Sequence, residues 1–181
     1  SDPDGGLPPM TRVARSLLLL SFLLGAQSVS AQMPTWIWHA QEQGENLFAR
    51  KKFHVQNRVH SAELRICADD GATIYLNGRE ILPAVTGRKA QRKDVTSRLR
   101  LGRNVLAAKV AKGRGERGFI AMLVVTLSTG KQLMINSDFS WKASPRNSTG
   151  WYRLDFNDSQ WLAASMLAPH GAKPWGPVLN R

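Results

Sequence analysis

Apolar and polar positions along this chain alternate with a period of two, and helical periodicity is nearly absent. Ala62, Leu64, Ile66 and Ala68 alternate with Glu63, Arg65, Cys67 and Asp69, as in a strand with one buried face. Leu106, Ala108 and Val110 alternate in the same way with Ala107, Lys109 and Ala111. Residues 47–55 are extended in character, with Phe53 and Val55 on one face. Residues 119–125 are continuously apolar, too short a run to cross a bilayer, and predict a strand covered on both faces. Residues 72–81 hold Asn77-Gly78 between β-formers. That pair predicts a two-residue hairpin turn, because both central positions need positive φ, and it places Ile74 opposite Ile81 and Tyr75 opposite Glu80. Residues 132–135 and 139–142 are two further short strand candidates. From Ser144 onward the chain is rich in Trp, Pro and Gly, and predicts irregular chain closing over the core. Many short strands with turns between them predict an all-β sandwich or barrel. Its core is expected to hold Ile74, Leu76, Ile81, Leu106, Val110, Leu123 and Val125. No repeat and no linker divides this region.

The first thirty-one residues have a different character. Met10 opens a short basic stretch with Arg12 and Arg15, residues 16–25 are apolar, and a small-residue tail ends Val29-Ser30-Ala31. Those three parts predict a secretory signal at residues 10–31, cleaved after Ala31. A membrane anchor is the competing reading, but a span needs about 20 apolar residues and this run is about half that. Residues 1–9 lie upstream of a start methionine and are set aside as a misassigned leader. Residues 32–181 then form a single exported domain, periplasmic or extracellular, with no membrane span after cleavage.

The remaining 150 residues suit one domain. Cys67 is the only cysteine, so the domain must depend on its hydrophobic core rather than on an internal disulfide. Cys67 itself is read as a buried small hydrophobe. His39, His54, His60 and His170 show no metal-ligand spacing, and no Ser-His-Asp arrangement is legible. Glycoside hydrolysis needs two facing carboxylates. The close acidic groupings, Asp69-Asp70 and Asp155/Asp158, lie in turn-forming sequence whose side chains bond local backbone. The expectation is a protein with no catalytic residue, no metal and no cofactor.

Four pieces carry a family likeness: Trp36-Ile37-Trp38; residues 68–78, Ala-Asp-Asp-Gly-Ala-Thr-Ile-Tyr-Leu-Asn-Gly; Asp94-Val95-Thr96 followed by residues 102–107, Gly-Arg-Asn-Val-Leu-Ala; and residues 155–161, Asp-Phe-Asn-Asp-Ser-Gln-Trp, followed by Pro174-Trp175-Gly176. In order and spacing the set resembles the N-terminal jelly-roll domain of bacterial α-L-rhamnosidases. More broadly it resembles the galactose-binding-like domains attached to glycoside hydrolases. The resemblance spans nearly all of residues 36–176. It implies a jelly-roll β-sandwich accessory domain, either standing alone or forming the front of a larger protein. In that family the sugar-cleaving carboxylates belong to a separate helical barrel, to which nothing here corresponds. Some galactose-binding-like domains hold a structural calcium through loop oxygens, but no dense Asp/Asn loop of that kind is present.

Charge and aromatics supply the candidate ligand contacts. The formal net charge is +12. Between Arg88 and Arg117 stand eleven basic residues against Asp94 and Glu116 only. Such a concentration attracts polyanions, and export points to acidic or sulfated polysaccharide, or an anionic envelope surface, rather than nucleic acid; a solvated basic face is the alternative. Arg88, Lys89, Arg92, Lys93, Arg114 and Arg117 are the basic candidates, the first four in an expected loop. Trp36, Trp38, Trp161 and Trp175 fall in the family-like pieces and are read as core or closure. Trp141, Trp151 and Tyr152, with Tyr75, are the aromatic candidates for stacking on a sugar ring. Two functions remain: a non-catalytic exported module binding carbohydrate, with anionic polysaccharide as the candidate ligand, or a structural domain packing against a neighbouring catalytic or redox domain.

Overall fold

A computed structural model describes residues 33–41, 44–85, 87, 89–113 and 115–180. The expected leader at residues 1–9 and signal at 10–31 lie outside the described residues, as do Arg88 and Arg114. The described residues form two six-stranded sheets facing each other, with every pairing antiparallel. The strands are β1 (Thr35–Trp38), β2 (Asn46–Val55), β3 (Val59–Ala68), β4 (Ala72–Leu76), β5 (Arg79–Val85), β6 (Gln91–Asp94), β7 (Gly102–Ala111), β8 (Phe119–Leu127), β9 (Gln132–Asn136), β10 (Lys142–Ser144), β11 (Leu162–Ala163) and β12 (Ser165–Pro169). One sheet runs β12-β1-β8-β3-β6 with β9 also paired to β8, and the other runs β11-β10-β2-β7-β4-β5. This is the expected β-sandwich.

The alternation becomes the layer between the sheets. Leu64, Ile66, Leu123 and Val125 from one sheet meet Ile74, Leu76, Leu106 and Val110 from the other, all buried. Ile81 packs against this cluster half-buried. Asn77 and Gly78 have φ of 53° and 81°, the left-handed conformation that the two-residue turn requires. Tyr75 pairs with Glu80 as expected, but Ile74 pairs with Leu82 instead of Ile81. The register slips by one residue between these pairs, so Ile81 is the extra residue of a β-bulge.

Three other expectations are corrected. Residues 139–141 are not strand: Asp138 Oδ1 accepts the Ser140 N–H at 2.7 Å, and this side-chain turn delays the strand to Lys142–Ser144. The apolar run of β8 is fully covered on both faces only at Phe119, Ile120 and Ala121; Met122 and Val124 are half-buried. Lys89, Arg92 and Lys93 do not share one loop, because Arg92 and Lys93 belong to the edge strand β6.

Two segments of the C-terminal region cover the outer sheet faces, and this region contributes β11 and β12 besides irregular chain. Residues 170–180 lie over the first sheet, where Trp36, Cys67, Ile120, Val178 and Leu179 form a buried cluster with Trp175 at its margin. Trp175 stacks on Trp36 with ring centroids 4.5 Å apart. Gly118 lies directly beneath the pair; a Cβ there would stand 2.8 Å from Trp36 and 2.9 Å from Trp175, so no larger residue fits. Cys67 is buried, as expected. His170 Nε2 accepts the Leu179 N–H at 3.1 Å, which fastens the end of this cover.

Burial lowers the pKa of His170 from its ordinary value, and it does the same to His39, where carbonyls of Gly44 and Gln41 oppose the shift. The unfolded chain therefore binds protons at these two positions before the folded domain does. Their contribution to stability is present above the ordinary histidine value near 6.5 and is lost as pH falls through the lower folded values. The melting temperature is expected to be lower at pH 5 than at pH 7.5, with a smaller difference in a His39→Gln/His170→Gln variant. A parent whose melting temperature is the same at both pH values contradicts this.

Candidate functional site

The outer face of the second sheet is built around one buried cation. On β2, residues 48, 50, 52 and 54 point away from the core, and Phe48 and Arg50 lie opposite Lys109 and Ala107 of β7. The segment 145–161 crosses this face. Its Trp151 and Trp161 are buried with Phe48 and Ala107, and Tyr75, Tyr152 and Phe156 pack at the margin. Arg50 is fully buried beneath it. Its Nη1 donates to Asp158 Oδ2 at 2.7 Å and to the Phe156 carbonyl at 3.0 Å, and its Nη2 donates to the Arg153 carbonyl at 2.7 Å. The guanidinium also stands 5.1 Å from the centroid of the Phe156 ring. Burial lowers the pKa of Arg50, and the charges of Asp158 and Asp155 oppose that shift.

This clamp positions a cleft of about 600 Å³ at the end of the sheet beyond the Asn77-Gly78 turn. Four arginines and a lysine line it: Lys52 from β2, Arg79 after the hairpin turn, Arg100 and Arg103 at the start of β7, and Arg153 from the crossing segment, with Asp155 as the one carboxylate. The Arg100–Arg103 turn is held by Asn104, which is fully buried. Asn104 Oδ1 accepts from the Arg100 N–H and from Asn77 Nδ2, and its Nδ2 donates to the carbonyls of Arg100 and Gly102. Asn77 Oδ1 in turn accepts the Val105 N–H at 3.0 Å. Two buried or half-buried amides therefore fix the rim that carries Arg79, Arg100 and Arg103. Lys52 is already engaged, donating to Asp158 Oδ1 at 3.0 Å. Among the described residues Arg79, Arg100, Arg103 and Arg153 form no salt bridge, and all four are exposed. Guanidinium groups in this state suit bidentate bonds to carboxylate or sulfate oxygens.

The structure disperses the basic stretch that is continuous in sequence. Lys89, Arg92 and Lys93 lie at or beside the edge strand β6, Arg100 and Arg103 at the cleft, and Lys112 and Arg117 at the opposite end of the sandwich. The reason is β7, whose ten residues run through the middle of the stretch and span about 33 Å. Trp141 and Trp151 are not exposed platforms. Trp141 is fully buried, donates its Nε1 to the Asn136 carbonyl at 2.8 Å and meets Phe119 edge-on. Trp151 is wrapped by Phe48, Tyr75 and Trp161. Tyr152 keeps exposed surface but stacks on Tyr75 at 4.6 Å. Asp158, expected to bond local backbone, holds Arg50 and Lys52 instead; Asn157 does make such a bond, accepting the Ser159 N–H. Lys52, Arg79, Arg100, Arg103 and Arg153 were not among the sequence candidates, although Arg100 and Arg103 lie in the basic stretch. Arg79 had one legible signal, its place directly after the Asn-Gly turn.

No protein-family model matches the chain. Over 168 residues it is 30% identical to an α-L-rhamnosidase of Streptomyces avermitilis, covering 84% of this chain and 16% of that protein. The chain is homologous to the N-terminal region of that rhamnosidase. It thus spans about a sixth of the length of the curated relative it matches. The crystal structure of the Streptomyces avermitilis enzyme complexed with L-rhamnose superposes with a TM-score of 0.74 at 29% identity, over 81% of this chain and 16% of that one. The Pleurotus ostreatus lectin superposes with a TM-score of 0.70 at 25% identity, over 81% of this chain and 44% of that one. The expected likeness to the N-terminal region of a rhamnosidase is borne out, and the fold shared with a lectin is consistent with a galactose-binding-like β-sandwich. Among the described residues no helix is long and apolar enough to cross a membrane.

Removing Asp158 leaves the buried Arg50 without its counter-charge, and breaking a buried pair in this way costs roughly 3 kcal/mol or more. Asp158→Ala is expected to lower stability to urea by about that amount and to make the segment 145–161 the first site of proteolytic cleavage. A loss below about 1 kcal/mol, the scale of an exposed pair, contradicts the clamp.

Proposed function

We propose that this domain is a non-catalytic, exported carbohydrate-binding module whose cleft between Arg79, Arg100, Arg103 and Arg153 takes an acidic or sulfated glycan. The observation that carries this reading is the cleft itself: four exposed guanidiniums from three separate segments converge against one carboxylate. The fold is shared with a lectin and with an α-L-rhamnosidase, of which the chain matches only 16%. The carboxylates also support a non-catalytic role. Asp69 accepts from Trp175 Nε1, Asp70 from the Gly113 N–H, and Asp158 from Arg50 and Lys52. The cleft offers Asp155 without a facing acid partner, whereas glycosidic cleavage uses two carboxyl groups about 5–10 Å apart.

A second reading is a structural accessory domain that packs on a neighbour. It is favoured by an apolar groove of about 340 Å³ on the outer face of the first sheet, lined by Met33, Met122, Met134 and Leu179. Met33 and Met134 are exposed there, as expected of a surface awaiting cover.

Retention on a heparin column separates the two readings. Screening shortens the reach of exposed charge from about 8 Å at physiological ionic strength to about 3 Å at 1 M, so a complex held by arginines dissociates as salt rises. The parent is expected to be retained, and an Arg79→Ser/Arg100→Ser/Arg103→Ser variant to elute at clearly lower salt. A Lys89→Ser/Arg92→Ser/Lys93→Ser variant is expected to elute close to the parent. Equal elution of parent and cleft variant removes the cleft as the site, and no retention of the parent leaves the structural reading. The domain is also expected to release no product from aryl rhamnosides; release abolished by Asp155→Asn overturns the non-catalytic assignment.

A further inference from the structure

Three of the chain's five methionines line a single groove of about 340 Å³ on the outer face of the first sheet. Strand register brings two of them together. Leu123 and Ile135 point into the core, so Met122, Met134 and Asn136 project from the opposite face of β8 and β9. Met122 lies opposite Asn136, and Met134 opposite Val124. The two methionines are therefore diagonal neighbours, about 7–8 Å apart and within reach of each other's long side chains. The third, Met33, is brought in by the chain leading into β1. The Thr35 N–H donates to the Ser137 carbonyl at 2.8 Å and the His170 N–H to the Pro34 carbonyl at 2.9 Å. Residues 33–35 are thereby seated between the end of β9 and the C-terminal cover.

Filling gaps in a core is the ordinary work of methionine, and it does not describe this cluster. Met33 is 56% exposed and Met134 40%, and only Met122 packs on the buried cluster of Trp36, Ile120 and Leu179. Among the described residues no Asp, Glu, Lys or Arg lines the groove, whose other members are Pro34, Asn136, His170, Leu179 and Asn180. Arg65, opposite Met122 on β3, is paired with Glu63. His170 Nε2 accepts the Leu179 N–H, so the ring proton sits on Nδ1 and the imidazole is not poised to bind a metal. Burial lowers the pKa of His170, which keeps the ring uncharged near pH 7. The donors that distinguish the groove are three neutral thioether sulfurs.

We propose that Met33, Met122 and Met134 form a binding site for a soft monovalent metal ion, Cu(I), held by the three sulfurs. Thioethers are soft, polarizable ligands that favour Cu(I). Zn(II) draws on Cys, His and carboxylate, and Ca(II) and Mg(II) draw on oxygen, so a groove of this composition discriminates against all three. An ion of single charge also costs less to hold on apolar surface than a doubly charged one. Unbranched side chains with three rotatable bonds let the sulfurs close on the ion without moving either strand. The site departs from the expectation that the chain takes no metal, an expectation drawn from histidine and carboxylate spacing. It depends on neither reading of the domain's function.

The test is a titration of the full chain with Cu(I), kept reduced by ascorbate under nitrogen, against the coloured chelator bicinchoninate. The parent is expected to withdraw one equivalent of Cu(I) from the chelator, and excess Zn(II) is expected not to displace it. Met33→Leu/Met134→Leu keeps size and apolarity at two exposed positions. It is expected to weaken binding by about tenfold or more while leaving heparin elution and melting temperature unchanged. Met134→Leu alone weakens binding by a smaller factor, and carries the same comparison should the double variant melt lower. Met166→Leu, at an exposed methionine outside the groove, leaves affinity unchanged. Thioethers do not titrate, so affinity is expected to be the same at pH 5 and pH 7.5. A site using the Cys67 thiolate or an imidazole instead binds more weakly at pH 5. Cys67→Ala is accordingly expected to retain the metal. No withdrawal of Cu(I) by the parent overturns the proposal. So does unchanged affinity in the methionine variants, an equal loss in Met166→Leu, or binding that falls at pH 5 and disappears in Cys67→Ala.

Discussion

The arrangement of the outer face depends on the buried guanidinium of Arg50. A cation removed from water is costly unless its donors are matched. Here one carboxylate and two backbone carbonyls, all from residues 153–158, meet it. Sequence separations of 103 to 108 residues mean that nothing local enforces the contact. The crossing segment has no long strand of its own, and the guanidinium fixes where it lies. Trp151, Trp161 and Phe156 then have a defined surface to cover, and Arg153 and Asp155 reach the cleft at a fixed height above the sheet.

The two outer faces are covered in different ways. On the first sheet the seal is aromatic: Trp36 and Trp175 stack over Gly118, and Val178 and Leu179 complete the cluster. On the second sheet the seal is aromatic and ionic together. Both covers come from the C-terminal region and both leave part of their sheet open. The basic cleft lies at the margin of the second cover, where irregular chain gives side chains room to converge while the strands beneath hold the backbone still.

Much of the sandwich was legible in the chain, because a period of two leaves a strand little choice about which face is buried. β3 and β7 followed from alternation alone, and Asn77-Gly78 marked its hairpin. The bulge at Ile81 left no such mark, since it depends on how β5 meets β4 in three dimensions. The site was harder to read. Charge concentrated along a segment is not charge concentrated in space, and an extended strand inside the segment separates its ends. The cleft gathers Lys52, Arg79, Arg100, Arg103 and Arg153 from distant parts of the sequence. Arg50 stands beside Lys51 and Lys52 in what looks like a solvated basic run, and only its remote partners show that it is buried. Trp141 and Trp151 were misplaced for the same reason, because an indole in irregular chain carries no local sign of whether that chain folds back over it.

The edge strand β6 places Arg92 and Lys93 at the border of the first sheet, and β5, at the border of the second, contains Pro83. A border strand presents unpaired backbone donors and acceptors that invite another molecule to add a strand. Charged side chains make such an addition unfavourable, and a proline removes one of the donors it would use. Arg92 and Lys93 on β6 and Pro83 on β5 thus make edge-to-edge association at these two borders unfavourable.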